Sequence, residues 1–108
     1  MQPIRLSETE RKKPLSYDPS TKKYLYLADI KDGRIFYPQN LDEKLQCQLT
    51  IKRLEIEEPF LIESLEAMNK EQMIEGIRRR TEKGKEIVRA EIKYLEDTIK
   101  EIIKGRLI

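Results

Sequence analysis

The chain has 108 residues, enough for one domain with a modest core. Its 22 Lys and Arg against 20 Asp and Glu leave a formal charge of +2, so the mean charge selects neither nucleic acid nor membrane as a partner. There is no histidine and only one cysteine, which excludes the commonest general base, disulfide frameworks, cysteine-rich zinc sites and iron–sulfur clusters.

Charged residues make up 39% of the chain, while Asn and Gln together number seven. That bias towards Glu and Lys is the one reported for hyperthermophile proteins. No apolar run approaches the ~18 residues of a membrane span, and Met1-Gln2-Pro3-Ile4-Arg5 lacks the apolar stretch of a signal peptide. The expectation is a soluble, cytoplasmic, non-catalytic protein without metal or cofactor.

Residues 1–21 read as an extended arm. Pro3, Pro14 and Pro19 punctuate it, and Leu6 and Leu15 are its few apolar anchors. Ser7 and Glu10 have the spacing to cap one helical turn, which Pro14 would stop. Residues 22–38 read as a β-hairpin, with Lys22–Ile30 and Arg34–Tyr37 as strands and Asp32-Gly33 as the turn. Residues 45–56 read as a third strand, because Leu45, Cys47, Leu49 and Ile51 alternate with Gln46, Gln48 and Thr50. Cys47 falls on the apolar side of that alternation and is expected to be a buried, inert core residue.

Pro59 marks a switch to helix, predicted over 59–80 from Leu61, Leu65, Met68, Met73 and Ile77. A second helix is predicted over 82–104. There Val88, Ile92, Leu95, Ile99 and Ile102 form a heptad-like seam, and Gly105 is the stop. The slip of apolar phase between the two segments and Gly84 favour two helices joined near 80–84 over a single helix of about 45 residues, which would need a partner chain to cover it. The fold expected is α+β: the arm 1–21, then a single domain over 22–108 with a three-stranded antiparallel sheet in 22–56 and two helices. The seam can pack inside the chain, on the sheet or the first helix, or pair with another copy; three short strands cannot cover two long helices, so self-association through it, as a homodimer, is the expectation.

Charge is unevenly distributed. Residues 57–75 carry six acids and one base, and residues 78–89 carry six bases and two acids. Arg78, Arg79, Arg80, Lys83, Lys85 and Arg89 therefore form a basic cluster around Gly84, suited to gripping phosphates. Tyr24 and Tyr26 would share one strand face, flanked by Lys22, Lys23, Lys31 and Arg34. That arrangement is one by which single strands of nucleic acid are stacked. The sequence thus points to binding of DNA or RNA, or to work within a nucleic-acid machine. A protein–protein adaptor, docking into a larger complex through its helices, is the alternative. Thr81-Glu82-Lys83-Gly84-Lys85-Glu86-Ile87 resembles the segment that leads into the dimerisation helix of winged-helix regulators of the MarR type. The likeness covers seven residues and lacks the preceding helix-turn-helix, so no residue's role is carried over.

Overall fold

The computed structural model describes residues 2–56 and 69–108. Pro59, Leu61, Leu65, Met68 and most of the acidic stretch lie outside the described residues, so the first half of the predicted helix 59–80 does too.

The N-terminal segment is not an extended arm. Ser7 caps α1 (Glu8–Lys12), its hydroxyl accepting the Glu10 N–H at 3.1 Å. Pro14 then stops the helix, and Lys13, Pro14, Leu15 and Ser16 are all buried. Strand β1 (Ser16–Asp18) pairs antiparallel with β2 (Lys23–Leu25), Tyr17 facing Tyr24. The turn between them is local chemistry: the Asp18 carboxylate accepts both the N–H and the hydroxyl of Ser20 at 2.9 and 2.7 Å, and Lys22 adopts a left-handed φ of 58°. The segment is also tied at its other end. Ile4 N–H donates to the Arg106 carbonyl and Leu6 N–H to that of Ile108, at 2.8 and 2.7 Å, which joins the two ends of the described chain in a short parallel bridge.

The predicted hairpin at 22–38 does not form. Its first strand is used up by β1, and the chain turns at once into α2 (Leu27–Lys31). Asp32-Gly33 ends that helix instead of turning a hairpin. Gly33, at φ +88°, donates its N–H to Ile30, and Arg34 donates to Asp29. This is the Schellman motif, which needs the same left-handed glycine that a tight hairpin would.

The predicted third strand at 45–56 is also a helix, α3 (Glu43–Ile56), which follows a 3-10 turn at Pro38–Asn40. The Asp42 carboxylate accepts the Leu45 N–H at 2.8 Å, and the Asp42 carbonyl accepts the Gln46 N–H. An N-cap followed by Glu, Lys, Leu, Gln and Arg outweighs a four-step apolar alternation. The apolar side chains are spread around α3 because it packs on several partners, α4, α5 and β1. The sheet among the described residues therefore has two strands, and the domain is α+β but mainly helical.

Asn69 caps α4 (Lys70–Arg79) through the Gln72 N–H, and Thr81 caps α5 (Glu82–Ile103) through the Gly84 N–H. Two helices with a break at Arg80–Thr81 match the predicted break. Gly84 is not the bend, however. It lies in the first turn of α5, so close to Gly76 that a Cβ there would sit 2.1 Å from the Gly76 carbonyl oxygen. The glycine lets two backbones cross in contact. Val88, Ile92, Leu95, Ile99 and Ile102 are at most 7% exposed, inside a core shared with Leu6, Leu15, Leu27, Ile30, Leu41, Leu49 and Ile77. The heptad-like stripe thus packs against elements of its own chain.

Sequence reading missed Arg53. It is 2% exposed, and its guanidinium reaches the Glu91 carboxylate, the Pro14 carbonyl at 2.9 Å and the Glu10 carboxylate at 2.8 Å. Burial alone would lower the affinity of this guanidinium for its proton, but Glu91 and Glu10 together raise it. No buried side-chain polar atom among the described residues lacks a partner.

Candidate nucleic-acid interface

The six bases of the predicted cluster all lie on the surface of the α4–α5 turn: Arg78 and Arg79 at the end of α4, Arg80 in the turn, and Lys83, Lys85 and Arg89 on α5. Acids touch part of the row. Arg79 meets Glu75 at 2.6 Å, Arg80 meets Glu43 at 3.6 Å and Lys85 meets Glu82 at 3.8 Å. Such exposed pairs contribute about 0–1 kcal/mol each, so a phosphate can displace them at a modest cost in affinity. Arg78 and Arg89 make no ion pair among the described residues.

Folding brings this row together with part of the tyrosine feature. A groove of about 480 Å³ is lined by Tyr24 of β2, by Lys44, Gln48 and Lys52 of α3, and by Arg78 and Arg80. Cys47, Ile51 and Ile77 are its apolar lining, and Glu55 is the one acid among the described residues that line it. Among the described lining residues four cations stand against one carboxylate, a balance that favours anions. Tyr24 is braced there by an edge-on contact with Tyr17 at 5.1 Å between centroids, and its hydroxyl accepts from Gln48 Nε2 at 3.1 Å. Lys52 Nζ lies 5.9 Å from the Tyr24 ring.

Tyr26 does not line this groove. Strand β2 ends at Leu25, so Tyr26 begins α2, where its N–H donates to the Asp29 carboxylate at 2.8 Å. The expected shared face of Tyr24 and Tyr26 is thus replaced by one of Tyr24 with α3. Lys44 and Lys52 were not singled out from the sequence. Their signal was the spacing of Lys44, Gln48 and Lys52, every fourth residue and hence one helix face, visible only once α3 is known to be a helix.

A second, smaller groove of about 170 Å³ adjoins the first and is lined by Glu43, Arg80, Lys85 and Arg89, among others. Cys47, Ile77 and Arg80 line both grooves. Cys47 is half-buried on α3 rather than fully buried on a strand, and burial pushes its thiol up, away from the reactive thiolate.

Arg80 also has an unusual backbone. It adopts φ +54°, with its N–H donating to Ile77 and the Thr81 N–H donating to Gly76, which is again the Schellman pattern. The same motif closes α5, where Gly105 at φ +76° donates to Ile102 and Arg106 donates to Glu101. Of three such closures, two hold glycine in the left-handed position and one holds arginine. For a residue with a Cβ that conformation costs roughly 1–2 kcal/mol.

Among the described residues there is no group of three or more His, Cys, Asp or Glu side chains placed to hold a metal ion, and no helix is long and apolar enough to cross a membrane. The arrangement supplies cations, an amide donor, an aromatic ring and an apolar lining, which is chemistry for binding. No family model, curated protein or solved structure matches the chain.

Proposed function

We propose that this protein is a non-catalytic nucleic-acid-binding module whose ligand lies along the α3–α4 groove. The supporting observation is the lining of that groove: among the described residues, Lys44, Lys52, Arg78 and Arg80 around one tyrosine, with Glu55 as the single acid. Basic grooves with aromatic residues track a phosphate backbone while offering bases a surface to stack on. Arg79, Lys83, Lys85 and Arg89 extend the positive field around the α4–α5 turn.

The proposed unit of binding is one chain. The stripe Val88–Ile102 that suggested a homodimer is spent on the chain's own core, so self-association would use another face. The adaptor reading keeps one supporting observation: Ile4 and Ile108, joined by a hydrogen bond of 3.0 Å between their backbones, are 69% and 37% exposed.

Fluorescence anisotropy on labelled oligonucleotides across a salt series tests the proposal. Binding at micromolar protein and about 50 mM salt, falling steeply as salt rises, is the expected result. Absence of binding under those conditions overturns it and moves the adaptor reading to first place. Light scattering on the same samples reads the oligomeric state.

A further inference from the structure

We infer that Arg80 is the phosphate contact over which a single nucleic-acid strand passes from the larger groove to the smaller one. The inference rests on the nucleic-acid reading above and deepens it. Three helices of this fold close with the same motif, at Gly33, Arg80 and Gly105. Glycine suits that position and arginine does not. Neither an exposed contact of 3.6 Å to Glu43 nor neighbourhood to Cys47 offsets the strain for the fold. Lys22 is also left-handed, in the β1–β2 turn, but among the three helix closures only Arg80 holds this strain, which points to work done by its side chain.

The location says what that work is. Arg80 is the one cation among the described residues that lines both grooves, beside Cys47 and Ile77 where the two meet. Lys44, Lys52 and Arg78 lie on one side of it, and Lys85 and Arg89 on the other. A backbone that follows this row of cations must cross Arg80, whose planar fork is matched to phosphate oxygens. The strand is single because Tyr24 is half-buried in a concave wall. Only a base freed from its complement presents a face to it there. Glu43 competes with the phosphate for Arg80 and so sets the affinity.

The test compares wild type, Arg80→Gly, Glu43→Gln and the double variant. Each is titrated against one labelled 12-nucleotide sequence, single-stranded and in duplex, across a salt series. Arg80→Gly should melt about 4 °C higher, bind single strands about tenfold more weakly and flatten the log–log salt slope by about 0.7. Glu43→Gln should tighten binding several-fold, and that gain should vanish in the double variant. Arg80→Asn, which tolerates the left-handed region, should show the same loss of binding if glycine loosens the turn. Wild-type binding with no change in affinity or slope in Arg80→Gly and Arg80→Asn overturns this inference and leaves the nucleic-acid reading standing. Duplex binding as tight as single-strand binding overturns the single-strand assignment. No binding by wild type removes the reading and the inference together.

Discussion

Arginine does two opposite things in this chain. Arg53 is sealed inside, wedged between α1, α3 and α5, with every direction of its guanidinium answered by a carboxylate, a carbonyl or, at 5.7 Å, the Tyr94 ring. Arg78 and Arg89 stand on the surface with no ion pair among the described residues. The difference teaches that a conspicuous run of cations is not where charge matters most to folding. Water already solvates an exposed arginine, so its removal costs little. A buried one ties together the carboxylates of Glu10 and Glu91, and its charge has no water to fall back on. By the same logic Arg78 and Arg89 are the cations whose replacement should tell on binding rather than on folding.

The comparison is broken most severely by Arg53→Met. Glu91 would lose its cation and Glu10 would keep Lys13, at 3.4 Å; both carboxylates reach water in part, so the expected loss is about 3 kcal/mol, below that of a fully buried pair, read as a drop in the urea midpoint. A loss under about 1 kcal/mol would mean the clamp opens and hydrates cheaply. Next comes Gly84→Ala. A methyl group 2.1 Å from the Gly76 carbonyl oxygen must push α4 and α5 apart, at about 1–3 kcal/mol or somewhat more, measurable by thermal melting. The α4–α5 turn carries the proposed interface, so this variant should also blunt binding.

Arg78→Gln with Arg79→Gln sharpens the comparison from the other side. Stability should stay within about 0.5 kcal/mol of wild type. The salt slope for single strands should flatten by about 0.7 for each phosphate that is no longer neutralised. The smallest effect expected is that of pH on Asp29. The Tyr26 backbone N–H, with help from Arg34 and against partial burial, holds this carboxyl below its ordinary value of 3.8. A carboxyl lowered by folding stabilises fully above its unfolded value, and the benefit is lost as pH falls through the lower folded one. Asp29→Asn should therefore remove a small stabilisation at neutral pH and flatten the acid limb of the stability profile.

Legibility varied along the chain for identifiable reasons. Helix α5 was readable because its apolar spacing persists over several turns and its stop residue, Gly105, sits where such a cap belongs. The break between α4 and α5 was readable from the loss of apolar phase. The hairpin reading failed on an ambiguity of one residue type, since a left-handed glycine serves a hairpin and a helix stop equally well. It failed also on a missed partner, because Asp18-Pro19 turned β1 back onto β2 first. The strand reading of 45–56 failed because four alternating residues are a short sample, and the Asp42 cap was not weighed. Half the proposed interface failed to appear for the same reason. Lys44 and Lys52 come together with Arg78 only on a helical α3.

By itself the sequence determined an α+β domain, a long C-terminal amphipathic helix, and a basic surface at residues 78–89. These depend on local periodicity, capping and charge density, which neighbours in the chain carry between them. Only the tertiary structure decided that the apolar stripe of α5 is consumed inside one chain and that Arg53 is a buried clamp. It alone placed Tyr24 among the cations of α3 and α4. Those outcomes join residues separated by tens of positions, such as Arg53 to Glu10 and Tyr24 to Gln48. No local preference encodes them, because burial belongs to the packed core rather than to any one segment.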